Sequence, residues 1–220
     1  MRERTGLLAL PYAVWLVLAF AAPMGAVALL SVQESGEMFA PLSLVPSGAQ
    51  YAELIGDAFY RRVFANTLLL GAGVALACAV LGYPLALWLT RLPPRWKPLG
   101  FAIILVPLLT NVVVRSLGII LLLAPRGVMG SLAVELGLPR PELLFTWFAV
   151  GLALTQVFLP FMVLALYDVL QGTSPRVHEA AESLGASRTT RVLLVDLPLA
   201  LPGLRAGIVI VFLMASTAYV

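Results

Sequence analysis

The residues best spaced for a specific task lie in one polar segment, Ser174 to Pro198, between two long apolar stretches. At helical spacing Glu179 and Glu182 share one face, because residues three apart lie side by side. Ala180 and Ala181 leave the backbone uncovered, so another protein surface can approach closely. The expected chemistry is therefore non-covalent docking of a partner. The alternative, a helix lying on lipid headgroups, fits less well because the segment has two carboxylates and no aromatic anchor.

The sequence lacks the residue sets that covalent catalysis, metal binding and nucleotide binding need. It has no HExxH, no GxSxG and no Gly-rich Lys loop, so we expect neither bond cleavage nor ATP binding by this chain. His178 is its one histidine and Cys78 its one cysteine, whereas metal sites need several ligands. We expect no catalytic residue, no metal site and no cofactor on this chain.

Local signals predict a helix, a bend and a second helix within the polar segment. Ser174 is placed to cap the first helix, and Gly185 can adopt the left-handed conformation that ends it. Ser187 can cap the second helix. Leu197-Pro198 together with Pro202 is expected to stop this second helix before the chain enters the membrane again.

The apolar stretches around this segment predict an all-α membrane protein. Of the 220 residues 61% are hydrophobic and 11% are charged, whereas soluble domains are nearer half apolar and a quarter charged. About 20 apolar residues cross a bilayer as a helix. Five stretches qualify: Gly6 to Val32, Val63 to Thr90, Leu99 to Leu123, Leu143 to Leu170 and Leu204 to Val220. We expect the fifth stretch, and with it the chain, to be truncated.

The basic residues predict how the spans are oriented. The net charge is +3, but the 14 basic residues are dispersed, which argues against a nucleic-acid partner. With the N-terminus in the cytoplasm, nine basic residues lie inside and four outside, as the positive-inside rule requires. We divide the chain into 1–62, a transmembrane helix with an external loop, and 63–220, a core that includes the cytoplasmic loop 171–203.

The polar segment also resembles the EAA loop of binding-protein-dependent ABC importer permeases. The match consists of Glu179-Ala180-Ala181, Gly185, Val195 and Leu197-Pro198, which is six identities and one aliphatic position over 20 residues. It lies where that family has it, in a cytoplasmic loop before the penultimate span. Further motifs resemble the spermidine/putrescine branch: Asn66-Thr67-Leu68, Gly82-Tyr83-Pro84-Leu85-Ala86 and Val114-Arg115-Ser116.

This resemblance implies a polytopic helical bundle with the type I ABC importer permease (MetI-like) fold, in the inner membrane of a bacterium. The chain would form the path for a small solute. The resemblance to the spermidine/putrescine branch implies that this solute is a polyamine such as spermidine or putrescine. The implied partners are two copies of a cytoplasmic ATPase that hold ATP and Mg²⁺, a second homologous permease and an external solute-binding protein. The residues implied to dock on the ATPase are Glu179, Ala180, Ala181, Gly185, Leu197 and Pro198.

Polar side chains inside the spans are the candidates for the translocation path. Arg115 is the one unambiguous charge there, and it either faces the path or reaches the outer headgroups. Thr110, Asn111, Thr155 and Gln156 offer oxygens to a cation, or else form hydrogen bonds between helices. An ion-coupled secondary transporter or a channel without an ATPase is the alternative function, because it needs only helices and a few polar groups.

Overall fold

The computed structural model describes residues 2–32 and 47–219, and within them it has helices and no strand. In chain order the helices are α1 (Arg2–Ser31), α2 (Ala49–Gly56), α3 (Ala58–Arg91), α4 (Lys97–Leu109), α5 (Val112–Leu123), α6 (Val128–Glu135), α7 (Trp147–Gln171), α8 (Pro175–Ser183), α9 (Arg188–Arg191) and α10 (Leu197–Tyr219). A π-helical segment, Val192–Asp196, joins α9 to α10. The expected all-α class is confirmed.

Five helical stretches of the described residues are long and apolar enough to cross a bilayer. They are Val14–Ser31, Ala58–Arg91, Val112–Glu135, Trp147–Gln171 and Arg188–Ala218. The predicted number of spans is confirmed, although some bounds differ. The fourth span begins at Trp147 rather than Leu143, because the Thr146 hydroxyl accepts a hydrogen bond from the Ala149 N–H at 3.3 Å and thereby caps α7.

The third predicted span, Leu99 to Leu123, is wrong as a single helix. The chain is extended at Thr110, whose hydroxyl donates to the Val106 carbonyl at 2.8 Å. Asn111 then starts α5, with its side-chain oxygen accepting from the Val113 N–H at 2.8 Å. Pro107, which has no N–H, lies in the last turn of α4 and weakens the helix there. The Asn111 side chain thus satisfies an N–H in the first turn of α5, whereas the Thr110 hydroxyl adds a second hydrogen bond to the Val106 carbonyl, which already accepts one from the Thr110 N–H.

The expected stop at Leu197-Pro198 and Pro202 is also wrong. The helical run continues from Arg188 to Tyr219, and both prolines lie in α10. Directly before Pro198 the pairing changes from α to π, with the Leu197 N–H donating to the Val192 carbonyl. Proline has no N–H to donate, so the wider π turn allows the helix to pass it without ending.

The chain forms two compact units, Met1–Ala65 and Asn66–Val220. In the first unit the Tyr51 hydroxyl donates to Ser31 Oγ at 2.8 Å, which connects α2 to the end of α1. Asp57 starts α3 by accepting a hydrogen bond from the Phe59 N–H at 2.8 Å. The second unit contains the rest of α3 and all later helices, and it holds every residue proposed for a site.

The core of the second unit is built on α3, α7 and α10, which approach closely at glycines. Gly71 of α3 lies against Ser216, and Gly82 lies against Met162 of α7. A Cβ atom at Gly203 of α10 would lie only 2.7 Å from the Ala165 carbonyl oxygen. Small residues allow such close contact between membrane helices. The side chains buried around these contacts include Val74, Cys78, Leu89, Val163, Leu166 and Val211.

We predict that Gly203→Ala lowers the thermal stability of the protein in detergent, whereas Gly73→Ala does not. At Gly203 the new methyl group meets a backbone oxygen, and overpacking of this kind costs about 1–3 kcal/mol. At Gly73 no atom lies within 4 Å of a new Cβ, and alanine favours a helix by about 1 kcal/mol. Equal melting temperatures for the two variants would contradict the close packing of α10 on α7.

Candidate functional site

The predicted helix, bend and helix are present between α7 and α10. Ser174 precedes α8 in an extended conformation, although its side chain makes no capping hydrogen bond. Gly185 has φ +74°, the left-handed conformation expected from the sequence. Its N–H donates to the Glu182 carbonyl at 2.9 Å, and the Ala186 N–H donates to the Ala181 carbonyl at 3.0 Å. These two bonds form a Schellman motif, so α8 ends in a defined bend.

The second helix is fixed to the first across this bend. Ser187 caps α9, with its hydroxyl accepting from the Thr190 N–H at 3.2 Å. The Arg191 guanidinium forms an ion pair with the Glu182 carboxylate, which links α9 to α8. The orientation of α8 relative to α9 is therefore set by the Schellman motif together with this ion pair.

The face of α8 that was predicted to dock is open. Glu179 and Ala180 are exposed and Ala181 is half-buried. Leu184, beside the bend, is 89% exposed, which is unusual for a leucine without a covering surface. An apolar side chain next to exposed small residues and a carboxylate suits contact with another protein. Leu197 and Pro198 lie apart from this face, in the first turn of α10.

A pair of contacts that the sequence analysis missed joins this region to α3. Arg91 Nη2 lies 2.9 Å from Asp196 Oδ2, and the Asp196 side chain is only 3% exposed. The Tyr83 hydroxyl donates to the Val192 carbonyl at 2.8 Å. In the sequence, Arg91 is one of the nine basic residues that orient the spans, and Asp196 lies within the predicted cytoplasmic loop 171–203. One feature of the sequence could have indicated this pair. Asp196 is an acid inside the apolar run from Val192 to Leu201, and an acid in such a run needs a partner.

Three of the five predicted path residues line one cavity beside the α4–α5 break. This cavity, of about 420 Å³, is lined by Thr110, Arg115 and Gln156 among mostly apolar residues. Arg115 Nη1 donates to the Pro107 carbonyl at 3.2 Å, so its guanidinium reaches back across the break. Among the described residues lining this cavity none is a carboxylate.

The other two path candidates lie elsewhere. Thr155 is buried and lines a second, apolar cavity of about 550 Å³ between α3 and α7, with Asn66, Trp147 and Phe148. Asn111 is exposed and caps α5. The structure therefore groups Thr110, Arg115 and Gln156 and separates them from Thr155, while the role of all five in a path stays a prediction.

Comparison with known proteins relates this chain to transport permeases. No family model matches the chain. The spermidine/putrescine transport system permease protein PotB of Salmonella typhimurium is 35% identical over 167 residues, which are 75% of this chain and 58% of that protein. A probable molybdenum ABC transporter permease protein of Haloferax volcanii is 33% identical over 163 residues, 74% of this chain and 56% of that protein. The chain is homologous to ABC transporter permease subunits.

The chain spans less than three-fifths of the length of both relatives. A crystal structure of a bacterial alginate ABC transporter, in complex with an alginate pentasaccharide-bound periplasmic protein, shares the fold with a TM-score of 0.72. The match has 20% identity and covers 94% of this chain and 70% of that one. The resemblance inferred from the polar segment and the expected importer-permease fold are both confirmed, and the chain is a multi-pass membrane protein.

We predict that Gly185→Val opens the bend after α8, whereas Gly185→Asn largely preserves it. A left-handed backbone costs most residues about 1–2 kcal/mol, and asparagine tolerates it better than a β-branched residue. Trypsin should therefore cleave at Arg188 roughly 5- to 30-fold faster in the valine variant, because cleavage follows the population of the opened state. Identical cleavage rates for both variants would show that the left-handed conformation does not hold the bend.

Proposed function

We propose that this chain is a transmembrane permease subunit of an ATP-binding-cassette importer in the inner membrane of a bacterium. The observation that carries the proposal is the connection of α8, through a fixed bend, to a helical run that continues from Arg188 into the membrane span. A partner that moves α8 thereby moves a span without any flexible linker between them. Domain movements act on other elements through stiff, packed joints of this kind.

The proposed docking surface for the ATPase is the exposed side of α8 with its bend. Glu179, Ala180 and Ala181 would face the partner, and Gly185 would place Leu184 against it. Leu197 and Pro198, the remaining residues of the EAA pattern, would act from the start of α10, where they shape the junction with the π segment. Two ATPase copies would bind ATP and Mg²⁺, so that this chain needs no cofactor of its own.

The proposed assembly also contains a second homologous permease and an external solute-binding protein. A periplasmic protein is part of the alginate transporter that shares this fold, which supports the binding protein. With the N-terminus in the cytoplasm, α8 and α9 lie on the cytoplasmic side, where ATP is available. The excess of basic residues on that side supports this orientation.

The proposed solute is a polyamine such as spermidine or putrescine. Support comes from the spermidine/putrescine permease relatives, which share 35% of residues over most of this chain. The cavity at Thr110, Arg115 and Gln156 offers a cation hydroxyl and amide oxygens but also a repelling guanidinium. Weak contacts of this sort suit a conduit whose selectivity resides in the external binding protein.

An ion-coupled secondary transporter or a channel is the alternative, and the need for an ATPase separates the two. The assembled transporter in proteoliposomes should take up spermidine only with ATP inside, on the side of α8, and with the loaded binding protein outside. Uptake driven by an ion gradient in the absence of the ATPase would overturn the importer proposal. Titration of the external binding protein with spermidine, putrescine, ferric ion and molybdate tests the choice of solute.

We predict that Glu179→Lys abolishes ATP-dependent uptake while the protein still inserts into the membrane. The substitution reverses a charge on the proposed docking face, and mismatched charge at an interface costs several kcal/mol, equivalent to a loss of affinity of about 100-fold or more. The ATPase should then fail to co-purify with the permease. Glu135→Lys is the matched control, because Glu135 is also exposed but lies in α6, away from α8. Normal uptake by Glu179→Lys would contradict docking at this face.

A further inference from the structure

The end of α3 contacts both ends of the π segment that joins α9 to α10. At the first residue of this segment, the Val192 carbonyl accepts a hydrogen bond of 2.8 Å from the Tyr83 hydroxyl. At its last residue, the Asp196 carboxylate accepts a charged hydrogen bond of 2.9 Å from Arg91. The junction between the proposed docking segment and the fifth span is therefore attached to the second span as well.

The Arg91–Asp196 pair is asymmetric in its burial. The Asp196 side chain is 3% exposed, whereas that of Arg91 is 40% exposed. A buried charge is costly when it loses a charged contact, so breaking this ion pair affects the buried Asp196 more than the partly exposed Arg91. On its open side Arg91 borders a polar cavity of about 260 Å³, together with Thr90, Gln171 and Thr173.

Lys97, the other cation at this cavity, is attached to a different helix. Its Nζ lies 3.4 Å from the Tyr167 hydroxyl of α7 and 5.7 Å from the centre of that ring. Arg91 is therefore a cation in direct contact with Asp196, whereas Lys97 would have to leave Tyr167 to take its place. Mutation of Arg91 therefore tests the contact with Asp196 separately from the contact between Lys97 and Tyr167.

We propose that Arg91 and Asp196 are positioning residues that make α3 move together with α10 when the ATPase displaces α8. The proposal rests on the proposed importer function. Without the pair, movement of α8 would reach α10 through the backbone and would reach α3 only through the single Tyr83–Val192 hydrogen bond and helix packing. With the pair, both spans are displaced at their cytoplasmic ends, and α3 also lines the cavity near Asn66 and Thr155.

The test measures uptake per ATP hydrolysed by the complete transporter in proteoliposomes. The variants are Arg91→Gln, Asp196→Asn and the double variant, which leaves no unpaired buried charge and so guards against simple misfolding. Arg91→Lys keeps a cation for Asp196. The matched controls are Arg95→Gln and Asp168→Asn, whose original side chains are exposed and form no ion pair among the described residues.

All variants should still bind the ATPase, because none of them changes α8. Arg91→Gln, Asp196→Asn and the double variant should lower uptake per ATP by about tenfold, a typical size for coupling between two sites. Arg91→Lys should restore much of this ratio, and the two controls should match the unmodified protein. Rescue by lysine would not be expected if the arginine served only to fill space.

Two results would overturn the inference. One is an unchanged ratio of uptake to ATP hydrolysis in the double variant, which would show that α3 needs no such attachment. The other is loss of ATPase binding together with uptake, which would assign the pair to folding or docking. These results can be distinguished from failure of the importer proposal itself. In that case the unmodified transporter would show no ATP-dependent uptake at all.

Discussion

The bilayer's inability to hydrogen-bond with an interrupted backbone is the constraint on which this structure depends. At the α4–α5 break, other groups of the same chain take up backbone groups that lack a helical partner. The Asn111 side chain accepts from the Val113 N–H, and the Arg115 guanidinium donates to the Pro107 carbonyl. Directly before Pro198 the helix changes to π pairing, in which the Leu197 N–H donates to the Val192 carbonyl. The α4–α5 break is therefore a place where polar side chains collect, and it includes three of the five candidate path residues, Thr110, Asn111 and Arg115.

The same constraint bears on how the proposed docking segment, α8, would act on more than one span. The π turn allows the helix to pass Pro198 without a break, so α9 and α10 remain one continuous run. The carboxylate at the end of that turn is buried and requires a cation, which α3 supplies through Arg91. Glycine contacts then hold α3, α7 and α10 together along their length. In the proposed mechanism a displacement at α8 would thus be delivered to a packed group of three helices.

The sequence was sufficient for the bend and the second cap of the polar segment, but not for the cap at Ser174, which makes no hydrogen bond. The bend at Gly185 and the cap at Ser187 follow from residue type and position, because their bonds join neighbours in the chain. The break at Thr110–Asn111 was missed because the apolar run continues through it and only two small side chains mark it. The Arg91–Asp196 pair was missed because its members are 105 residues apart. A hydropathy pattern records which residues avoid water, but it does not record which distant helix supplies the counter-charge.

The electrostatics of the α4–α5 break bear on how a cation would pass. Arg115 repels a polyamine, yet its guanidinium is engaged with the Pro107 carbonyl, where it stabilises the helix end. A carboxylate in this cavity would bind a polycation tightly and also pair with Arg115, which would remove the guanidinium from the break. The described lining instead provides neutral oxygens from Thr110 and Gln156. If this cavity lies on the proposed path, such a lining would let Arg115 keep its structural role while a cation makes only weak, rapidly reversible contact. A conduit would need such weak contact if release is to follow each movement of the spans.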